Sequence, residues 1–259
     1  MMRTHVRAWR NLCLTGAAAL AAGTALAEGK AAVFEGKPVS IGQGTAHTVV
    51  RTGADGAVAA IGIVFTESAL EGLPAAKPGA EPRFPYLLSM PTKGPKTVVD
   101  HVVIDWEVMG HPPPQVYDVP HFDFHFYLVR RSEVSKVRFK GPKDSGDPAQ
   151  QPPADQMPPG YVLPPGTAVS GMGVHAINPA APEFQKQPFT ATFIYGYYNK
   201  RLTFLEPMAS LEFLKSKPSF SAAAPRPARY AKGGAYPSSY SIGYDGERKV
   251  YEVTLGDLQ

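Results

Sequence analysis

The chain has 259 residues, of which 44% are hydrophobic and 19% are charged, so it is long enough to bury a substantial core. Its 27 prolines disfavour long helices and exclude a coiled coil or a helical solenoid, and its single cysteine excludes a disulfide-stapled miniprotein. The formal net charge of +4 falls to +1 when residues 1–27, which hold three arginines, are left out, and no basic stripe for nucleic acid remains.

Residues 1–27 predict a secretory signal peptide, cleaved after Ala27. Three arginines precede an uncharged, alanine-rich run that is too short for a transmembrane span, which needs about 20 strongly apolar residues. We therefore expect a periplasmic or secreted protein without a membrane span. The mature chain has no cysteine, so any metal site in it must use histidines and carboxylates.

The first part of the mature chain predicts β-structure. Residues 48–51 and 57–65 flank a turn at 53–56 and predict a hairpin. A short helical turn follows at 68–71, and residues 73–84 predict a loop. Strand patterns separated by Pro/Gly clusters recur along the chain, which indicates a mainly β, antiparallel sandwich or barrel with short helices, cupin-like at most.

Residues 98–108 and 121–129 predict two neighbouring strands with strict alternation. If they pair, their apolar faces build a core from Val102, Ile104, Trp106, Val108, Phe122, Phe124, Phe126 and Leu128. The opposite face then gathers His101, Asp105, Glu107, His121, Asp123, His125 and Tyr127. Three imidazoles, three carboxylates and a phenol on one face make this pair of strands the first place to look for a site.

The later chain predicts a Pro-rich flap or surface linker at 141–166 and a hairpin from 189–197 and 202–205. Helical spacing predicts a helix over Met208–Lys215. We expect residues 28–216 to form one β-rich domain. Residues 217–259 have linker composition and predict an extension that ends in a hairpin around Asp245-Gly246.

Imidazole and carboxylate are the ligands of zinc, iron and manganese. Strand residues at i and i+2 share a face about 6.5–7 Å apart, so Asp123 with either His121 or His125 suits one ion. His121 and His125 themselves stand about 13 Å apart on a flat strand and reach one ion only if the strand bends near Pro120.

Two later residues are predicted to complete a site for a divalent metal ion. His175 follows the glycine-rich stretch Gly171-Met172-Gly173, and Glu206 precedes Pro207, which is expected to end its strand. His111 and Tyr127 are predicted to support the ligands without binding the ion. The chain has no GxSxG, GxGxxG or HExxH motif, so catalytic residues are not predicted.

Three functions remain open at this point. The first is a metal-dependent enzyme with a vacant coordination position. The second is a non-enzymatic envelope or stress-response oligomer that binds a metal or a small-molecule ligand. The third is a structural module whose polar face is a hydrogen-bond network.

The segments GHPP…YDVPHFDFHFYLV, GMGVH and FTATFIYGYYNKRLTFLEPM resemble a family of exported bacterial proteins with a domain of unknown function. One member comes from a thermophile and is linked to an extracytoplasmic stress sigma factor. The resemblance covers about residues 38–215 and places the family's polar residues on His121, Asp123, His125, His175 and Glu206. It implies export, a β-rich fold and a ring-like homo-oligomer, and it brings no established activity. Ala176-Ile177-Asn178 stands where the family has an acidic residue.

Overall fold

The structure is a computed structural model that describes residues 30–79 and 82–259. The predicted signal peptide at residues 1–27 lies outside the described residues. Among those described, no helix is long and apolar enough to cross a membrane. The strands, in chain order, are β1 (Ala32–Glu35), β2 (Val39–Ile41), β3 (Gly44–Thr52), β4 (Val58–Thr66), β5 (Arg83–Ser89), β6 (His101–Glu107), β7 (His121–Tyr127), β8 (Ala168–Val169), β9 (Gly173–Ala176), β10 (Ala191–Tyr198), β11 (Arg201–Ser210), β12 (Ser219–Ala223), β13 (Ser239–Asp245) and β14 (Val250–Gly256).

The helices are short: α1 (Arg131–Val134), α2 (Leu211–Lys215) and 3-10 turns at Glu67–Leu70, Pro142–Gly146, Ala154–Gln156 and Pro182–Gln185. The strands form two antiparallel sheets. The first sheet has the order β1-β3-β4-β14-β13-β12, with β2 on β3, and the second has the order β5-β6-β7-β11-β10-β9-β8. The predicted mainly β, antiparallel fold with short helices is therefore confirmed.

The second sheet is curled into a half-barrel. Arg83 on β5 places Nη1 3.6 Å from the sulfur of Met172, which lies beside β9 near the other end of the strand order. At its β5 edge the second sheet also meets the first, where the Thr48 hydroxyl donates to the Ser89 carbonyl at 2.7 Å. The curled sheet thus has one face against the first sheet and a concave face that is closed off by loops.

The core lies between the two sheets, where the apolar faces of β6 and β7 meet the first sheet. Trp106 packs on Phe122 with ring centroids 4.8 Å apart, and Phe65 packs on Phe124 at 5.9 Å and on Tyr251 at 5.1 Å. Strict alternation forces every second residue of β7 into this layer. The polar residues of β7 must then face the concave side.

Three predicted hairpins are present, formed by β3 with β4, β10 with β11, and β13 with β14. In the second of these, Asn199 and Lys200 make the turn with positive φ values of 48° and 68°. β6 pairs with β7 in continuous register from His101 opposite Tyr127 to Glu107 opposite His121. The predicted pairing and the predicted faces of these two central strands are therefore confirmed.

Four expectations differ from the structure. Pro207 does not end the strand, because β11 keeps its pairing with β10 through Pro207 opposite Phe193 and continues to Ser210. Glu206 is therefore in the middle of a strand. The helix predicted from Met208 begins only at Leu211, since Met208 pairs with Asp123. The loop predicted to residue 84 ends earlier, because β5 begins at Arg83.

The fourth difference concerns residues 217–259, which were predicted as a linker-like extension ending in a hairpin. The hairpin is present, but β14 lies between β4 and β13 in the first sheet and pairs with β4 from Val250 to Leu255. The segment is thus part of the sheet. The Pro- and Ala-rich composition of this segment favoured a linker, although buried and more exposed residues alternate along much of its strands.

The Pro-rich segment 141–166 lies against the β10–β11 hairpin. The Gln150 side chain donates to Asn199 Oδ1 at 2.9 Å and accepts from the Asn199 backbone N–H at 2.8 Å. The Tyr197 hydroxyl donates to the Gln156 carbonyl at 2.8 Å. These bonds hold the segment beside the strands that carry the site.

Candidate metal centre

The concave face of the second sheet collects polar side chains from β6, β7, β11 and β9, with β10 lying between the last two. β7 supplies His121, Asp123 and His125, and the register places Asp105 of β6 opposite Asp123. β11 supplies Glu206, which pairs with Ile194 of β10, and β9 supplies His175 opposite Gly196 of β10. Apart from His175, which is slightly exposed, these side chains are buried.

His125, His175 and Glu206 form one compact group, called the strand triad below, because each ligand comes from a strand. One ligand atom from each lies within 4.8 Å of the others. His125 Nε2 is 3.4 Å from Glu206 Oε1, and His175 Nε2 is 3.8 Å from Glu206 Oε2. Ligand atoms bound about 2.1 Å from one ion are roughly 3.0–3.4 Å apart in octahedral or tetrahedral geometry, so the group is close to the required size.

The second nitrogen of each imidazole of the strand triad faces an oxygen. His175 Nδ1 lies 3.0 Å from the Thr167 carbonyl, which can only accept, so the proton of this ring is on Nδ1. His125 Nδ1 lies 3.0 Å from Asp105 Oδ2. A histidine that turns one nitrogen to a carboxylate or carbonyl and the other to an ion is the usual arrangement of metal ligands.

Two glycines shape the strand triad. Gly173 has φ +155°, and a Cβ there would lie 2.8 Å from the Tyr197 carbonyl oxygen, so the approach to His175 requires glycine. At Gly196 a Cβ would lie 2.0 Å from Phe204 Cε1. The Phe204 ring uses that space and packs on His125 at 4.8 Å and on His175 at 5.2 Å between centroids.

His111, His121 and Asp123 form a second group, called the loop triad below, because His111 comes from the segment between β6 and β7. His121 Nε2 is 3.0 Å from Asp123 Oδ1, and His111 Nε2 is 3.5 Å from Asp123 Oδ2. The Nδ1 atoms face backbone carbonyls, that of His121 at Val119 (2.7 Å) and that of His111 at Pro112 (2.8 Å).

Several polar atoms of the two triads and of Asp105 are buried yet form no aligned hydrogen bond with any residue that the structure describes. These atoms are both ring nitrogens of His125, both carboxylate oxygens of Asp105, Oε2 of Glu206, Nε2 of His121 and Oδ1 of Asp123. Nitrogen and oxygen atoms stand 3.0–3.8 Å apart without the angles of a hydrogen bond. Leaving such groups unsatisfied costs about 1–3 kcal/mol each, so the arrangement calls for a shared positive partner.

The pKa values of the strand triad are shifted by burial and by the charges of neighbouring groups. Burial lowers the pKa of His125, but the charges of Glu206 and Asp105 outweigh it and raise that pKa to about 9. Burial also raises the pKa of Glu206 to about 8. Burial and the charge of His125 lower the pKa of His175 to about 3, so this ring is neutral and its Nε2 carries a lone pair.

The loop triad behaves in the same way. Burial lowers the pKa of His111, but the Asp123 carboxylate outweighs it and raises that pKa to about 9. Burial raises the pKa of Asp123, but His121 and His111 outweigh it and hold that pKa well below its usual range. Glu107, opposite His121, has a pKa of about 7 because of its burial and the charge of Asp123.

The five residues predicted as metal ligands do not meet at one point. β7 pairs continuously and stays extended, so His121 and His125 point to different groups. The structure brings His125, His175 and Glu206 together and places His121 and Asp123 with His111, which was predicted only to support the ligands. Tyr127 is buried beside His125, with ring centroids 5.7 Å apart, and stacks on His101 at 4.7 Å.

Two parts of the site are not predicted from the sequence. The sequence places Asp105 on the polar face but does not identify it as the partner of a metal ligand. The pairing of β6 with β7 places it diagonally across from His125. The Thr167 carbonyl that orients His175 is a backbone group in a loop, and no side-chain pattern signals it.

Residues 53–106 match the model of the TTHB210-like family, described as "Hypothetical protein TTHB210", a family of unknown function. The match covers about a fifth of the chain, from the β3–β4 turn to β6, and includes Asp105 but no residue of either triad. It supports, over this stretch, the predicted resemblance to a family of unknown function. Searches among curated proteins and among solved structures give no match.

Proposed function

We propose that this protein binds a divalent transition-metal ion through His125 Nε2, His175 Nε2 and a Glu206 oxygen. The observation that carries the proposal is the neutral, carbonyl-anchored His175, whose Nε2 lone pair faces a buried carboxylate oxygen at 3.8 Å. A lone pair and a carboxylate oxygen repel each other unless a proton or a metal ion lies between them, and a bound ion would displace the proton that the raised pKa of Glu206 keeps there near neutral pH.

The donor set favours a borderline transition metal. Two imidazoles and one carboxylate suit zinc and also ferrous iron, whereas calcium and magnesium prefer oxygen ligands alone. Asp105 would orient His125, and the Thr167 carbonyl would orient His175, as partners of the ligands usually do. A bound divalent ion would replace the proton that His125 retains near neutral pH without it.

The strand triad is enclosed, which leaves little room for a large substrate beside a bound ion. The side chains of His125 and Glu206 are 1% exposed and that of His175 is 15% exposed. Structural sites are closed, whereas catalytic sites keep a position open for water or substrate. Three protein ligands leave a fourth position free, so the ligand number is compatible with catalysis, whereas the burial of the group favours an ion that is bound without a large substrate.

The test is the metal content of protein purified after growth with added zinc, iron and manganese. We expect His175→Gln to bind about one ion per chain less than wild type, because the substitution removes one of the three ligands of the strand triad. His47→Gln is the matched control, because His47 is a partly buried histidine on β3 of the first sheet. Equal metal content in wild type and His175→Gln would overturn the proposal.

Export to the periplasm or beyond, and assembly into a homo-oligomer, belong to the same proposal. Their support is the composition of residues 1–27 and the family resemblance. Cell fractionation with N-terminal sequencing tests export, and a mature chain that begins at Glu28 in the envelope fraction is the expected result. Cytoplasmic protein that retains Met1 would contradict it.

A further inference from the structure

The loop triad is a cluster of metal-type ligands outside the site just proposed. Asp123 stands at its centre and presents one oxygen to each of two imidazoles, Oδ1 to His121 at 3.0 Å and Oδ2 to His111 at 3.5 Å. Both separations are near the roughly 3.0–3.4 Å expected between donors bound about 2.1 Å from one ion.

The tautomers leave both facing nitrogens without a proton when the rings are neutral. His121 Nδ1 donates to the Val119 carbonyl and His111 Nδ1 donates to the Pro112 carbonyl, because carbonyls only accept. The His121 side chain is 0% exposed and Asp123 is 4% exposed. His121 Nε2 and Asp123 Oδ1 make no aligned hydrogen bond with the part of the chain that is described, so they are unpartnered buried groups aimed at a common point.

The loop triad is separate from the strand triad. Asp123 and His125 are two residues apart on an extended strand, which places them about 6.5–7 Å apart. Metal pairs that share bridging ligands lie about 3.5–4 Å apart. An ion at each triad would therefore have its own ligands, although the charges of the two triads act on each other, since Asp123 raises and His111 lowers the pKa of Glu206.

The two triads also differ in access. His125, His175 and Glu206 lie on three strands, whereas His111 lies in the β6–β7 connection and its side chain is 32% exposed. A local turn holds this loop, in which the His111 N–H donates to the Tyr117 carbonyl at 3.0 Å. Gly110 enables that turn with φ +70°, since a Cβ there would lie 2.0 Å from the same carbonyl oxygen.

We propose that His111, His121 and Asp123 form a second site for a divalent transition-metal ion, which exchanges with solvent faster than the ion of the strand triad. The ligand class is again zinc-like, because two imidazoles and one carboxylate are the donors. Exchange is faster because the loop can lift His111 away without opening a β-strand. This inference does not depend on the strand triad.

The test uses Co²⁺ as the probe and compares wild type, His111→Gln, His175→Gln and the double variant. We expect about two Co²⁺ per wild-type chain, released to EDTA in a fast and a slow phase, about one in each single variant and about none in the double variant. His111→Gln should lack the fast phase and His175→Gln the slow phase. His47→Gln should retain both, and circular dichroism should show that each variant is folded.

The outcomes separate the two proposals. Full Co²⁺ content and an unchanged fast phase in His111→Gln would overturn the second site. An unchanged content in His175→Gln, with one ion lost in His111→Gln, would overturn the function proposed for the strand triad and leave the second site standing. If His111→Gln does not fold, Asp123→Asn gives the same reading, because it keeps the side-chain size and removes the central charge.

Discussion

The two sheets treat their charged residues in opposite ways. On the first sheet the Arg51 guanidinium donates to both oxygens of Glu252 at 2.8 and 2.9 Å, and Glu67 receives Lys217 at 2.6 Å and the Tyr244 hydroxyl at 2.8 Å. These side chains lie at or near the surface, and the Arg51–Glu252 and Tyr244–Glu67 contacts have hydrogen-bond geometry. The protein itself supplies the partners of Glu252 and Glu67.

The concave face of the second sheet has charges of the same types, but they are buried and not aligned. His125 and Asp105 are each 1% exposed and stand 3.0 Å apart, yet they form no proper hydrogen bond. Asp105 also has Arg83 Nη1 3.9 Å away, but burying charged groups without aligned hydrogen bonds is costly. This difference supports the proposal that the second sheet binds a metal ion.

Metal removal should have the largest effect on stability, and that effect should depend on the polar residues of the second sheet. A ligand at 1,000 times its dissociation constant stabilises a protein by about 4 kcal/mol, which is roughly 10 °C in a domain of this size. We expect EDTA to lower the melting temperature of zinc-loaded protein by about that amount, measured by calorimetry. The double variant His111→Gln/His175→Gln should not respond to EDTA, and an unchanged wild-type curve would contradict metal stabilisation.

The pH dependence should sharpen the same contrast. The pKa values of His111 and His125 are raised to about 9 and that of Glu206 to about 8, so the folded metal-free protein holds more protons than the unfolded chain between pH 6.5 and 9. Its stability should therefore fall as pH rises through that window. A bound ion replaces these protons, so metal affinity should rise about tenfold per pH unit for each proton released.

The measurement is the melting temperature with and without zinc at pH 6.5, 7.5 and 8.5. The gap between the two curves should widen with pH. A gap that narrows would mean that the metal does not compete with these protons.

Gly196→Ala should test how closely the second sheet is fitted around the strand triad. The added Cβ would lie 2.0 Å from the Phe204 ring, which itself packs on His125 and His175. Overpacking typically costs about 1–3 kcal/mol, and the displaced ring should also weaken metal binding. Urea unfolding and Co²⁺ titration measure the two effects.

Gly243→Ala is the matched control, because it also lies inside a strand but in the first sheet, and its added Cβ meets nothing within 4 Å. It should leave metal binding unchanged and be neutral or slightly stabilising. Equal effects of the two alanines would show that Gly196 has no special relation to the site.

Alternation along β6 and β7 was enough to predict the pairing, the core and the polar face, because period two admits only one burial pattern. The same alternation showed that His121 and His125 are far apart on a regular strand, and β7 pairs with β6 without a bulge. The two-site division follows from that distance. The sequence alone could not decide it, since a bend or bulge near Pro120 would still have brought both histidines to one ion.

Other parts of the site depend on tertiary structure. Pro207 favoured a strand end at Glu206. In the structure β11 lies between β7 and β10, and its pairing with β10 continues through Pro207 opposite Phe193. His111 enters the loop triad through a turn held by Tyr117, and the Thr167 carbonyl reaches His175 across a loop. Such contacts depend on loop conformations that side-chain patterns do not encode.

The smallest expected effect is on the first sheet. Arg51→Ala breaks a two-oxygen ion pair whose side chains are 29% and 24% exposed, and exposed pairs contribute about 0.2–1 kcal/mol. We expect a loss in that range by urea unfolding, reduced further at 1 M salt because exposed charges are screened. Metal content should be unchanged. A loss of metal in Arg51→Ala would show that the two sheets are not independent, since β3 would then transmit strain to the concave face of the second sheet.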